Sequence, residues 1–472
     1  MQDIIRIATE LYIAVQFQPL MLINRRKHPL RLEPRDKRSK SGAVSLRPEE
    51  MCPDSLRVGI FSESFAPVRN GVTTSLDTLV KGLRTSGHRV WVCAPAHEAV
   101  GAAPETNVLR FPSFVTAYNR GYPLAYPFYP RLALSTHFNR LRLDVVHTHS
   151  PFVLGLTGAK MAITRGTPLV STYHTLYSQY THYLPVVPES MSQGFLDVYL
   201  PWYYNRCSHV FCPSRVTMAS LKRIGVEAPI AVVPTGVPIP TSSAVSLERR
   251  KATRQRHNWR MDQKVLLYAG RLAEEKNVPL LLHAMVQILK SVPNATLAII
   301  GDGPEREALE LLATQLLPEK VVQFLGSIPR EEMDAHYCAA DLFCFASGSE
   351  TQGLVAGEAR AAGLPCILVN QGGAPETFVD GEDALLAEPA NAQSFAEKAL
   401  AILGNDDRYQ SMRQHAHRRA RLFTPELMIA QVIELYEQVR TMPPPVRSLV
   451  PPLDNNGKEA YWNIFSQHWP GG

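Results

Sequence analysis

The sequence predicts an α/β protein of two doubly wound domains that face each other across a cleft. Three observations carry that expectation. The chain has 472 residues, too many for one ordinary core and comfortable for two. From residue 55 onward, short apolar runs alternate with stretches of helical length, as parallel strands covered on both faces do. The alternation stops over residues 238–262 and then starts afresh.

LRVGIFSES is an apolar strand ending in a loop, which meets Asn70-Gly71 before the helical pattern VTTSLDTLVKGLRTSG. That helix stops at Gly87, and RVWVCAP is the next strand. LDVVHTHS, a helix over 155–165 and PLVSTYH repeat the unit. Residues 238–262 carry Pro, Ser and charge with little apolar periodicity, and read as the link between domains. Beyond it come KVLLYAGR, a helix over 279–292, ATLAIIGDG, a helix over 305–316, VVQFLG, DLFCFAS, a helix after Gly353 and the strand PCILV. A last helix, 425–440, starts with Thr424 as N-cap and Pro425 in its first turn. The domains expected are therefore 55–237 and 263–423, followed by a helix over 424–441. Residues 1–54 form a basic extension and 442–472 a Pro-rich irregular tail.

Composition removes several classes of function. No run of about 18 uninterrupted apolar residues occurs, so no transmembrane helix is expected, and the apolar stretch near the start lacks the layout of a secretory signal. Seven cysteines without a CxxC pair read as buried free thiols in a reducing compartment, not as a zinc site. The net charge of +6 comes wholly from residues 24–40, since the remainder balances at 41 basic and 41 acidic side chains. A nucleic-acid binder is thereby disfavoured. The basic run is either a solvated tail or a contact for anionic lipid headgroups.

Chemistry is expected on loops after strands, where such folds bind ligands. In GRLAEEKN, Arg271 and Lys276 beside a helix N-terminus suit a pyrophosphate; the alternative is a surface pair screened by Glu274 and Glu275. In ETQGLVAGE, Glu350 precedes a helix and Glu358 lies about one and a half turns inside it. The N–H groups around Gly353, Leu354 and Val355 can hold an anion there, and a carboxylate on each side can accept from sugar and ribose hydroxyls. A solvated helix face accounts equally for Glu358. DVVHTHSPF puts His147 and His149 on one side of a strand. No matching Asp/Cys cluster accompanies them, so no metal site is expected. His149, at the strand's end, is placed either to face the cleft or as a hydrogen-bonded structural histidine. Gly71 allows a ligand to approach the backbone closely. The Gly301–Gly303 turn lacks the glycine pattern of a dinucleotide fold, which argues against a nicotinamide oxidoreductase.

Taken in order, NGV, HTHSPF, GRLAEEKN, IGDGP, ETQGLVAGE and GGAPE resemble the motifs of the retaining GT-B glycosyltransferases of family four, over about residues 56–440. FSESFAPVRNGVTTS and STYHTLYSQYTHYLP are most similar to the bacterial 1,2-diacylglycerol 3-glucosyltransferases. The resemblance implies that Arg271 and Lys276 bind the donor diphosphate, Glu358 the ribose, and Glu350 the transferred sugar. It implies that His149 positions that sugar, that Gly71 approaches the diphosphate, and that no metal or other cofactor is required beyond a UDP-sugar, or a GDP-sugar, as donor substrate. Many members have GG where this chain has Asn70-Gly71. Transfer would proceed by front-face attack, with the leaving phosphate as base.

The acceptor leaves its own trace. Between Arg110 and Leu143 there is no acid, while Arg110, Arg120, Arg131, Arg140 and Arg142 are interleaved with aromatics that include Tyr118 and Tyr122. Arginines among aromatic rings suit a bilayer interface; an aromatic core under a long loop is the other reading. His174 and Tyr177 belong to the segment that the resemblance places on the acceptor side. The expectation is a cytoplasmic enzyme bound peripherally to the inner face of an anionic membrane and glucosylating a diacylglycerol-type lipid. A GDP-mannose-dependent lipid mannosyltransferase, a nucleotide-sugar 2-epimerase and a non-catalytic sugar-nucleotide binder are the alternatives.

Overall fold

The computed structural model describes residues 55–98, 106–116, 119–126, 141–177, 189–243 and 245–442. The expected extension over 1–54, the tail beyond Met442, Tyr118 and Arg131 lie outside these residues.

The first sheet is built from β1 (Arg57–Phe61), β2 (Arg89–Pro95) and β3 (Val108–Phe111). A hairpin of β4 (Ser113–Thr116) and β5 (Asn119–Ala125) follows. The sheet then continues with β6 (Val145–Thr148), β7 (Leu169–Thr172), β8 (His209–Cys212) and β9 (Ile230–Val232). Its order is β3-β2-β1-β6-β7-β8-β9, all parallel. The helices on it include α1 (Gly71–Thr85), α2 (Val153–Arg165), α3 (Glu189–Tyr204) and α4 (Arg215–Arg223). Strand burial explains the near-continuous apolar runs: β6 and β8 are buried along their whole length.

The second sheet uses β10 (Lys264–Ala269), β11 (Ala295–Ile300), β12 (Val322–Gly326), β13 (Leu342–Phe345), β14 (Cys366–Val369) and β15 (Ala384–Ala387), in the parallel order β12-β11-β10-β13-β14-β15. Each sheet reverses its strand order once, between β1 and β6 in the first and between β10 and β13 in the second. Ligands of open α/β sheets bind at such switch points. The two-domain α/β expectation is met.

One stretch differs from its sequence reading. Within 238–262, residues Leu247–Arg256 form α5 and dock on the second domain. Its contact is polar, so apolar periodicity could not reveal it. Arg254 is 1% exposed and binds Asp341 Oδ2 at 2.7 Å and the Ala339 carbonyl at 2.9 Å.

The remaining helices are α6 (Val278–Ser291), α7 (Arg306–Leu316), α8 (Arg330–Ala339), α9 (Leu354–Ala361), α10 (Ala392–Leu403), α11 (Asp406–Ala420) and α12 (Pro425–Thr441). Helix α12 starts at Thr424-Pro425 as expected, although the Thr424 side chain makes no capping bond. It returns to the first domain, where Ile429, Val432, Tyr436 and Val439 join Leu76, Leu79 and Leu83 of α1 in one core.

Candidate functional site

The two sheets meet by the C-terminal ends of their strands. Arg330, after β12, donates to Thr74 Oγ1 on α1 at 2.9 Å. Gln352, after β13, binds the backbone N–H and carbonyl of Thr235, after β9, both at 2.8 Å. The Glu376 carboxylate, after β14, accepts the Arg215 and Val216 N–H groups at the start of α4, each at 2.6 Å. Every one of these residues follows a strand, so both switch points open toward the same cleft.

At the second switch point, β10 and β13 are paired neighbours, which brings together loops some 75 residues apart. Lys276 Nζ meets Glu350 Oε1 at 2.6 Å, and both side chains are largely covered. Ser347 and Ser349 donate to the Glu275 carbonyl at 3.2 and 3.3 Å and tie the loops again. Arg271 is exposed on the same loop, and its carbonyl accepts the Tyr268 hydroxyl at 3.1 Å. Gly353 is the N-cap of α9 at φ 72°, and a Cβ there would lie 2.8 Å from Ala374 Cβ; only glycine fits. Among the described residues no side chain caps α9, which leaves the Leu354 and Val355 N–H groups available to a ligand.

Glu358 lies one turn further along α9. Burial raises its pKa, while Arg330 and Tyr337 pull it back. The Tyr337 hydroxyl donates to Oε2 at 3.0 Å, and the Arg330 guanidinium stands 3.3 Å from Oε1. Sequence reading missed both partners. Neither sits in a recognisable motif, and α8 reaches Glu358 only through the helix packing beside β13. The same reading assigned GDG to a tight turn, and the geometry agrees: a Cβ on Gly301 would stand 1.8 Å from the Gly270 carbonyl oxygen.

The first switch point holds histidines. The His149 N–H donates to the Phe61 carbonyl at 2.8 Å across β1 and β6. His149 Nδ1 pairs with His174 Nε2 at 2.8 Å, with the rings stacked at 5.1 Å. Among the described residues no polar group pairs with the buried His149 Nε2. His147 lies behind, 4.2 Å from His149 between ring centroids, bonded to the Tyr436 hydroxyl at 2.6 Å and Thr172 Oγ1 at 2.7 Å. Burial pushes all three imidazoles down: His149 well below its ordinary value, His174 to about 4 and His147 to about 3. They are neutral at physiological pH. Tyr177 stacks edge-on against Phe152 and Tyr173, and burial raises its phenol pKa. Gly71 is exposed at the start of α1, and a Cβ added there would meet nothing within 4 Å.

The expected acceptor residues are scattered. Arg110 on β3 donates to the Pro95 carbonyl at 3.2 Å and the Ala66 carbonyl at 2.7 Å, and lies over the Phe65 ring. It braces the loop before α1. Arg120 and Tyr122 fall on β5. On the same hairpin Phe114, Leu124 and Tyr126 are 39%, 43% and 49% exposed, with Phe114 paired to Leu124 in register.

Residues 69–239 match the model described as Glycosyltransferase Family 4, and residues 249–419 match Glycosyl transferases group 1. The fold is also that of the HepE protein of Anabaena, solved in complex with UDP: TM-score 0.66, 22% identity, covering 81% of this chain and all of that one. The protein is thus a hexosyltransferase of the GT-B fold. More narrowly, the chain belongs to glycosyltransferase family four. It is 31% identical over 339 residues to the alpha-monoglucosyldiacylglycerol synthase of Acholeplasma laidlawii, covering 70% of this chain and 84% of that one. It is 27% identical over 393 residues to a GDP-mannose-dependent alpha-mannosyltransferase of Corynebacterium glutamicum, 81% of this chain and 89% of the relative.

Proposed function

We propose that the enzyme transfers glucose from UDP-glucose, with retention, to the free hydroxyl of a diacylglycerol-type lipid at an anionic membrane surface on the cytoplasmic side. The observation that carries the transfer is the facing of the two switch points. One holds Arg271, Lys276 and the bare α9 N-terminus, which suit a diphosphate. The other holds a neutral His149 whose Nε2 has no partner among the described residues, which suits sugar hydroxyls.

As the bond from the sugar's anomeric carbon to the diphosphate breaks, negative charge builds on the departing oxygen. Arg271, Lys276 and the Leu354 and Val355 N–H groups stabilise that charge without a metal ion. A diphosphate at Lys276 competes with Glu350 for the ammonium and turns that carboxylate toward the sugar. Glu358 accepts from the ribose hydroxyls. No carboxylate is assigned as covalent nucleophile; the acceptor hydroxyl attacks on the face the diphosphate leaves, and the phosphate takes its proton.

The lipid acceptor rests on the relative's diacylglycerol product and on the exposed Phe114, Leu124 and Tyr126 at the open end of the hairpin, an apolar patch of the kind that enters a bilayer interface. Among the described residues no helix is long and apolar enough to cross a membrane, so the hairpin and the cationic segment around it are the contact proposed. The test is product formation from UDP-glucose and diacylglycerol in anionic vesicles, with GDP-mannose in parallel. An α-glucosyl lipid supports the reading. Product from GDP-mannose alone moves the enzyme to the mannosyl branch, which the Corynebacterium relative favours, and no lipid product from either donor removes the lipid acceptor.

A further inference from the structure

Glu63 lies at the first switch point, on the loop after β1, and the transfer chemistry above does not use it. It leaves β1 two residues after Phe61, the residue whose carbonyl binds the His149 N–H. Helix α2 begins directly after His149-Ser-Pro-Phe, and its N-cap Phe152 has no side-chain acceptor to offer. Glu63 supplies the acceptor from the other strand. Its Oε1 takes the Leu154 N–H at 2.5 Å, and the Gly155 N–H adds to the hold. Ser150 Oγ lies against the same carboxylate without reaching the geometry of a full hydrogen bond.

The loop it holds is tight. A Cβ on Gly155 would fall 1.7 Å from the Ser150 carbonyl oxygen, so a shift at the start of α2 passes directly to Ser150 and His149. The Tyr199 hydroxyl binds the Pro151 carbonyl, and Tyr203 binds Thr148 Oγ1 at 2.8 Å. Asn70, Ser214, Ser246, Asn391 and Asn405 cap their own helices with uncharged side chains. A half-buried carboxylate brought from the loop after another strand does more than a cap needs, and burial opposes its charge.

We propose that Glu63 is a positioning residue for sugar transfer: in its carboxylate form it holds the 149–154 segment, and with it His149, where transfer requires it. The inference rests on His149 facing the transferred sugar. The titratable group that faces Glu63 from the acceptor segment is Tyr177, kept protonated by burial. His149 and His174, on the neighbouring loops, are held neutral, and among the described residues no Lys or Arg acts on the carboxyl. Burial raises its pKa to about 7, against the pull of the Leu154 and Gly155 N–H groups and the Ser150 hydroxyl.

The signs for rate and stability are opposite. Transfer needs the ionised form, present above about pH 7. Stability favours the protonated form: the contribution is full below the unfolded value of 4.5 and is lost as pH rises through about 7. Glu63→Gln keeps an oxygen for the Leu154 N–H and never ionises.

The experiment is the pH profile of lipid glucosylation between 5.5 and 8.5 for wild type, Glu63→Gln and Glu63→Asp, with Tm measured at each pH. Wild-type kcat is expected to fall about tenfold per pH unit below 7, as one required ionisation dictates. Glu63→Gln is expected to be flat, about tenfold or more below wild type at pH 8 and within the roughly 10²-fold that a 1 Å misplacement costs. Its KM for UDP-glucose and its Tm at pH 8 are expected to stay at or above wild-type values, and Glu63→Asp to restore a titrating limb. A Glu63→Gln profile that keeps the wild-type limb overturns the proposal, as does a rate that falls only in step with Tm. If wild type transfers from neither donor, the functional reading fails separately. Hydrogen exchange over 150–156, corrected for intrinsic rates, then decides for Glu63: protection rising through pH 7 only in wild type supports it, and identical protection in Glu63→Gln overturns it.

Discussion

The two switch points share a topology and differ in electrostatics. Around β10 and β13 the side chains are charged and matched: Lys276 with Glu350, Arg330 with Glu358. Around β1 and β6 the imidazoles are neutral, stripped of charge by burial, and the Glu63 carboxyl there is held by backbone N–H groups and, among the described residues, by no matching cation. On the function proposed above, the difference marks where charge changes during the reaction. A departing diphosphate needs preorganised cations and N–H groups, whereas a sugar ring and a hydroxyl acceptor need groups that accept and donate without attracting counter-ions.

The sharpest way to break the comparison is at the charged side. Arg271→Ala and Lys276→Ala are each expected to lower kcat by about 10²- to 10³-fold, read by UDP release in the presence of acceptor. Lys276→Met combined with Glu350→Gln is expected to lose less than the two separate losses together, because the pair is in contact. Near-normal rates in either cation variant would remove the diphosphate assignment.

The neutral side is tested next by acid. With folded pKa values of about 3 for His147 and about 4 for His174 against 6.5 unfolded, the unfolded chain takes up protons first. Stability is therefore full above pH 6.5 and lost as pH falls from there toward 4, by roughly 3 kcal/mol or more at pH 4.5. Urea unfolding across that range reads it, and His174→Gln is expected to flatten the slope. His147→Phe should cost roughly 1–3 kcal/mol at neutral pH by orphaning the Tyr436 and Thr172 hydroxyls. An unchanged urea midpoint would show that α12 does not depend on that bond. The smallest effect is expected at Arg330. Its side chain is 47% exposed, so Arg330→Gln should change stability by under about 1 kcal/mol and shift donor KM more than kcat.

Much of this was legible before any coordinates. The strand–helix rhythm, the Gly353 helix and the Thr424-Pro425 start are local signals written within a few residues. Arg271, Lys276, Glu350 and His149 stood out because each lies close after a strand, and Glu358 because it shares a short motif with Glu350 across a helix start. Helix α5 escaped because its docking face is made of arginine, and Arg254 carries no apolar period. Glu63, Arg330, Tyr337 and Glu376 escaped for another reason: the role of each lies in a partner 21 to 256 positions away.

The sequence by itself determined the class of fold and its two-domain character, and it singled out the loops after strands as candidates for chemistry, since periodicity and end signals are set by neighbouring residues. Only the tertiary structure decided that β10 lies beside β13 and β1 beside β6. Those adjacencies pair Lys276 with Glu350 and bring Glu63 to α2, and the pairing of β6 with β7 brings His149 to His174. Strand order is chosen by the packing of whole sheets, and a period of two along a strand states which face is buried but not which neighbour it meets.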